Sequence, residues 1–340
     1  MRRSLLRIGA ATTALATGIA LASCTSGDSG DGGPSGTTST ATDAFPVSVS
    51  TTFGDVEIPA QPTRVVALGW GDADIALNLG VQPVGASDFL GFGGDGVSPW
   101  NAETYDESPE IVSGGGNQDV DVEKIAALDP DLILNVKAAG DRETYDRLSE
   151  IAPTVSAPEG GEGYTVGRDE QVEMIAKALG ESAKGDEINQ EVDDAVTRVR
   201  DDHPEWADKT ASVISKYGEG WAAYLQGDGR TDLLTSLGFS SPDAVEEAGK
   251  DGEKNSDTFF TQLSDENLDT ADADVVVGFP IGITREELED LGPWKNLGAV
   301  KAGHAVVADD DLSQAFSLGT PDAVLWALQQ ITPKLEDATR

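Results

Sequence analysis

This chain has few of the side chains that usually do chemistry. In 340 residues it holds one cysteine, Cys24, and two histidines, His203 and His304. His203 stands beside Pro204 at a predicted helix end and His304 beside Gly303 in a predicted turn, so both read as surface residues. Zinc and manganese sites need clustered imidazole or thiolate ligands or a tight carboxylate set, and the sequence offers no such cluster. No Gly-x-Ser-x-Gly elbow occurs, and so little histidine leaves few bases for a catalytic triad. Gly91-Phe92-Gly93-Gly94-Asp95-Gly96 looks like a phosphate-cradling loop but lacks the Lys-Ser/Thr ending and precedes no obvious helix, so it reads as a flexible rim.

What remains is capture. Aromatic residues fall in predicted loops and strand ends: Trp70, Phe89, Phe92, Trp100, Tyr217, Trp221, Tyr224, Phe279 and Phe316. Lys137, Arg230 and Arg285 are the basic residues that accompany them. Flat rings cover extended apolar faces at low entropic cost, and a few cations neutralise anionic groups. Taken singly, each ring serves ordinary packing as readily, and each cation a surface ion pair. The signal is the cluster, and the chemistry it points to is binding of a small molecule, with no catalytic residue, resident cofactor or metal.

These positions are set by alternating short strands and helices. A β-rich passage over residues 45–58 is closed by Pro59 and Pro62, and Arg64-Val65-Val66-Ala67-Leu68 is the kind of apolar run found in a strand buried on both faces. Predicted helices over 72–79, 121–128 and 141–151 alternate with predicted strands over 83–86, 131–136 and 154–156. Residues 168–202 are helical for unusually long, with Ile188, Val192, Ala195, Val196 and Val199 at three- and four-residue spacing. Gly180 and Gly185 are expected to break that stretch. Strands follow over 212–216, 222–226, 274–279 and 305–308, with helices near 228–237 and 321–335. The pattern predicts an α/β fold with mainly parallel sheets, arranged as an N-terminal lobe over 44–167, a helical connector over 168–202 and a C-terminal lobe over 203–340. Open parallel sheets bind ligands at the carboxyl ends of their strands, which is where the aromatic segments lie.

The formal net charge is −38, with 61 acidic residues against 23 lysines and arginines. Such a charge repels nucleic acid and anionic lipid and favours a soluble monomer. With a single cysteine there is no internal disulfide, so the fold rests on its hydrophobic cores.

An internal repeat supports two related lobes. Asp121-Val122-Glu123 leads into Asp129-Pro130-Asp131 and the aliphatics 132–134; Ser264-Asp265-Glu266 leads into Asp272-Ala273-Asp274 and the aliphatics 275–277. Each copy reads as a helix start with a capping residue, a helix, a tight turn and a buried strand. On the residues alone, Glu123 and Glu266 read as helix-dipole partners.

The first 23 residues carry Arg2, Arg3 and Arg7 and then an apolar, small-residue run, the layout of an export signal. Leu21-Ala22-Ser23-Cys24 resembles a bacterial lipobox, which implies acylation of Cys24, loss of residues 1–23 and attachment to the outer face of the cell membrane. Arg2-Arg3-Ser4-Leu5-Leu6 faintly resembles a twin-arginine signal. Residues 24–43, rich in Gly, Ser, Thr and Asp, are expected to form a flexible tether.

Three further segments carry a more specific likeness: Pro62-Thr63-Arg64-Val65-Val66-Ala67-Leu68, residues 122–134, and Trp294-Lys295-Asn296-Leu297-Gly298-Ala299-Val300 with the three residues after it. Through them the chain, over about 45–337, resembles the class III substrate-binding proteins of ABC importers for ferric siderophores and vitamin B12. The resemblance implies two Rossmann-like lobes joined by a single long helix, with the ligand held between them. It also implies that Glu123 and Glu266 dock into arginine pockets of a permease dimer. The implied cargo is a ferric siderophore; the residues that strand-end position and side-chain chemistry lead us to expect around it are Trp70, Phe89, Trp100, Lys137, Tyr217, Trp221, Tyr224, Arg230, Phe279, Arg285 and Phe316. Cobalamin and haem are alternatives in the same family, haem being disfavoured because neither histidine lies in a predicted cleft loop. A tethered extracytoplasmic hydrolase is the alternative from another class.

Overall fold

A computed structural model of the chain describes residues 43–88, 96–101, 105–114, 120–217, 219–251 and 259–340. The expected export signal, Cys24, the tether up to residue 42, Phe89 and Phe92 lie outside the described residues, as do all but the last glycine of the 91–96 run and the side chain of Tyr217.

A hairpin opens the body, β1 (Val47–Thr51) against β2 (Gly54–Ile58). Its alternation of apolar and polar residues puts Val49, Val56 and Ile58 into the core and the residues between them into solvent. The first lobe's sheet follows: β3 (Val65–Ala67), β4 (Gly85–Asp88), β5 (Glu110–Gly114), β6 (Leu132–Asn135) and β7 (Thr154–Ser156), all parallel, in the order 5-4-3-6-7. Val65, Ala67, Leu132 and Leu134 pack into one apolar cluster and Val66 and Ile133 into the cluster on the other face. That is why these strands are uninterrupted apolar runs.

The second sheet comprises β8 (Ala211–Tyr217), β9 (Gly220–Tyr224), β10 (Phe260–Leu263), β11 (Val275–Phe279) and β12 (Ala305–Val307), in the order 10-9-8-11-12. β8, β11 and β12 are parallel, whereas β9 runs antiparallel to both its neighbours. The mainly parallel expectation therefore meets an exception at β9, where Tyr217 pairs with Gly220 across a hairpin too short for a parallel crossover.

The repeat has a structural meaning in both lobes. Asp131 accepts from the backbone N–H groups of Thr63 and Arg64, each at 2.8 Å, and ties the start of β3 to that of β6. Asp274 accepts from Thr210 N at 2.8 Å and Thr210 Oγ1 at 2.9 Å and ties β8 to β11 in the same way. Partial burial pushes the Asp131 carboxyl up, but the hydrogen bonds outweigh it and hold the group below the usual carboxylate range. The copies differ upstream. Asp121 caps helix Val122–Ala127 by accepting from Lys124 N, while the second copy is a 3₁₀ helix, Asp265–Ala271, to which Ser264 gives no side-chain cap.

The long helical stretch is two helices, Arg168–Leu179 and Ser182–Asp202, parted at Gly180 in the left-handed conformation. The break expected at Gly185 does not occur. Gly185 lies inside the second helix, where a Cβ would stand 2.5 Å from that of Ala176, so glycine there lets the two helices approach. Helix Ser182–Asp202 packs Ile188 against the first lobe's core and buries Val192 and Val196 in the second lobe's. It is thus anchored in both lobes.

Candidate functional site

In the first sheet the chain leaves β3 toward β4 and β5, then returns to the other side through β6 and β7. The crevice where such an order reverses is the usual ligand position in an open parallel sheet. The loops leaving β3 and β6 meet here: Trp70 N donates to Lys137 O at 2.9 Å. Beneath them Asp72, fully buried, accepts from Gly69 N at 3.1 Å, Val136 N at 2.8 Å and Gln171 Nε2 at 2.7 Å. Burial pushes the Asp72 carboxyl up, and these hydrogen bonds oppose the rise. Gln171 also donates to Trp70 O at 2.8 Å, so one buried carboxylate and one amide fix the wall that carries Trp70 and Lys137.

Between the lobes lies a cavity of about 480 Å³, within the range of small-molecule sites. On the first lobe's side Trp70 stacks on Tyr164, ring centroids 4.3 Å apart, next to Lys137 and Arg168. On the other side stand Arg230, Phe259, Phe316 and Ser317. Arg230 is 6% exposed and lies against two rings, its guanidinium 4.2 Å from the Tyr224 ring centroid and 5.6 Å from that of Phe259. It donates to Asp228 Oδ2 at 2.8 Å and to Ser317 Oγ at 3.3 Å. Lys137, 8% exposed, has its ammonium pushed down to about 8 by burial, with Arg230 adding to the effect and Asp228 and Asp72 opposing it.

A two-lobed α/β body with an amphipathic cavity at the lobe junction has room for a small molecule. Residues 65–312, spanning both sheets, match the periplasmic binding protein family. The chain belongs to that family. The "Probable siderophore-binding lipoprotein YfiY" of Bacillus subtilis strain 168 is 32% identical over 270 residues, covering 74% of this chain and 77% of that protein. A periplasmic solute binding protein from Mycobacterium smegmatis superposes with a TM-score of 0.73 at 28% identity, covering 86% of this chain and 99% of that one. PiaA of Streptococcus pneumoniae TIGR4, solved in complex with ferrichrome, gives a TM-score of 0.71 at 25% identity, with coverages of 86% and 98%.

Of the residues expected to contact ligand, this binding protein brings Trp70, Lys137, Arg230 and Phe316 to the cavity. Tyr224 stands behind Arg230, its hydroxyl 3.2 Å from Ser215 Oγ. Phe279 is fully buried, edge-on to Phe316 at 5.4 Å. Trp221 is core, with Nε1 donating to Asp265 at 2.8 Å. Trp100 packs on Trp326 at 5.2 Å, outside the cavity lining, and Arg285 is on the surface, paired with Glu289 at 2.9 Å. Glu123 and Glu266 are both exposed. Sequence reasoning missed Tyr164, Arg168 and Phe259. The strand-end rule, applied to β7, would have pointed to the loop bearing Tyr164. Among the described residues no helix is long and apolar enough to cross a membrane, and no three His, Cys, Asp or Glu side chains form a metal-binding group.

Proposed function

We propose that this protein is the substrate-binding component of an ABC importer and that it carries a ferric siderophore in the cavity between its lobes. The observation that carries the reading is the cavity itself, where rings from both lobes, Trp70 and Tyr164 on one side and Phe259 and Phe316 on the other, face a space of about 480 Å³. A globular ferric chelate presents hydrocarbon between its metal-binding arms, and rings on two sides cover it without long side chains to order. The names of YfiY and of the ferrichrome complex of PiaA support the same cargo class.

The rest of the assignment is part of the same proposal. Cys24 carries the lipid that holds the protein on the outer face of the membrane; two or more acyl chains are needed, since each buried methylene contributes only about 0.8 kcal/mol. Glu123 and Glu266 are the docking points for a permease dimer. Each is exposed in the segment that precedes the inner strand of its lobe, β6 or β11, and a carboxylate there forms charge-assisted pairs with arginine.

The test is intrinsic tryptophan fluorescence during titration of the mature protein with ferrichrome, a ferric catecholate, haem and cobalamin. A saturable change with an iron chelate and none with cobalamin is expected. If no iron chelate gives a response, the cargo assignment fails.

A further inference from the structure

The charges around the cavity do not balance. Lys137, Arg168 and Arg230 supply three positive groups, whereas Asp169, Glu170, Asp193, Asp228 and Asp232 supply five carboxylates. The guanidiniums are already engaged: Arg230 with Asp228 at 2.8 Å, Arg168 with Asp169 and with Asp193, the latter at 2.6 Å. Among the described residues no lysine or arginine forms an ion pair with Glu170 or Asp232. Lys137 donates to the carbonyl of Leu318 at 3.3 Å. The expectation that Lys137, Arg230 and Arg285 would neutralise an anionic chelate therefore meets a different arrangement. Arg285 is elsewhere, Arg230 is neutralised by a neighbour two residues away, and carboxylates from three separate helices outnumber the cations.

We propose that the cavity selects ferric chelates of zero or positive net charge, the charge class of the ferric trihydroxamates, and rejects multiply anionic catecholate and polycarboxylate chelates. The proposal rests on the reading of this cavity as a siderophore site. Three hydroxamates each contribute one negative charge and cancel the ferric ion, whereas three catecholates contribute two each and leave the complex triply anionic. An anion entering this space sheds water and gains no free guanidinium in return, while Glu170 and Asp232 repel it. A neutral complex avoids both losses, and a cationic one gains from the same carboxylates. The protein's net charge of −38 acts in the same direction at longer range, slowing the approach of polyanions.

The test uses the full mature protein at neutral pH and low salt, titrated by tryptophan fluorescence with ferrichrome (uncharged), ferrioxamine B (cationic through its terminal ammonium) and ferric enterobactin (triply anionic). Ferrichrome and ferrioxamine B are expected to bind at least about a hundredfold more tightly than ferric enterobactin. Glu170→Gln and Asp232→Asn are then expected to weaken ferrioxamine B relative to ferrichrome by about threefold to tenfold, a difference that shrinks in high salt. Glu170 is exposed, and asparagine at 232 keeps the oxygen that accepts from Gly227 N, so both variants fold. A merely structural effect would weaken both ligands alike. Enterobactin binding as tightly as the hydroxamates, or variants that shift both hydroxamates equally, overturns the charge assignment. If none of the three binds, it is the siderophore reading itself that fails, and the charge assignment falls with it.

Discussion

Lys137 Nζ, on the loop after β6 in the first lobe, donates to the carbonyl oxygen of Leu318 in the second lobe at 3.3 Å. A residue of the cavity wall is therefore also a bridge between lobes. The bridge lies near the close contact of Gly71 with Thr320, and farther along the same seam Asn78 donates to Asp322 at 2.8 Å. At these points the seam is polar and tightly fitted, so small changes there alter how the lobes meet as well as what the cavity holds.

Burying that ammonium carries a pH signature. A lysine whose folded pKa of about 8 lies below its unfolded 10.5 penalises the fold wherever it is protonated in both states, below about 8, and the penalty fades as pH rises toward 10.5. The shift corresponds to about 3 kcal/mol, and the lost hydrogen bond to Leu318 offsets about 1 kcal/mol of that in a Lys137→Met variant. Urea unfolding at pH 7 should show the variant about 2 kcal/mol more stable than the parent. That gap should narrow by pH 10. A gap that stays constant from pH 7 to 10 would count against the buried charge.

Asp74 carries the opposite signature. Burial raises its carboxyl to about 6; Ser98 and Asn101 oppose the rise with hydrogen bonds, and Asp322 across the seam adds to it. With a folded pKa above the unfolded 3.8, the ionised group penalises the fold above about 6, and the penalty is relieved as pH falls from there toward 3.8. Asparagine keeps the oxygen that accepts from Ser98 N at 3.1 Å. Asp74→Asn should therefore stabilise the protein by about 2 kcal/mol at pH 7.5 and leave it unchanged near pH 4, measured by denaturant midpoints. Equal effects at both pH values would rule out ionisation as the cause.

The strands were legible because β3, β6 and β11 begin as uninterrupted aliphatic runs, and the two lobes because Asp131 and Asp274 repeat with the same spacing to their strands. The direction of β9 was also within reach, since the few residues between the predicted strands 212–216 and 222–226 leave no room for a crossover helix. Which face of a strand end looks into the cavity was not: Trp221 and Phe279 sit at the right level but point into cores. Nor was the charge balance, because Asp193 meets Arg168 from a different helix.

At Gly71 the lobes come too close for any side chain. Its φ is 76°, and a Cβ would stand 2.3 Å from Thr320 Cγ2. Gly71→Ala should lower stability by about 2–3 kcal/mol, combining the left-handed conformation with the clash. Adding Thr320→Ser removes the offending methyl, so the double variant should recover all but about 1 kcal/mol. A double variant no more stable than Gly71→Ala would mean that the contact with Thr320 is not what limits the position.

The fluorescence signal on ligand binding should come from one tryptophan. Trp70 lines the cavity in its stack with Tyr164, whereas Trp221 is buried in the core and Trp100 packs against Trp326. Trp70→Phe is expected to remove most of the ligand-induced change while Trp221→Phe and Trp100→Phe retain it. Tyr164→Ala should weaken binding by about tenfold, the loss of one stacking wall. Retention of the full signal in Trp70→Phe would place the ligand elsewhere.

Glu123 and Glu266 allow delivery to be separated from capture. Both are exposed and neither lines the cavity. If they served only their own helix termini, reversing either would change stability by about 0.3–1 kcal/mol and leave transport intact. If they dock the permease, Glu123→Lys and Glu266→Lys should each cut siderophore uptake by cells at least about tenfold while the purified variants bind ligand as before. Each reversal should be partly rescued by reversing an arginine on one permease subunit, a different subunit for each glutamate. Uptake at the parental rate in both single variants would end the docking assignment, and with it the idea that the repeat marks the surface read by the importer.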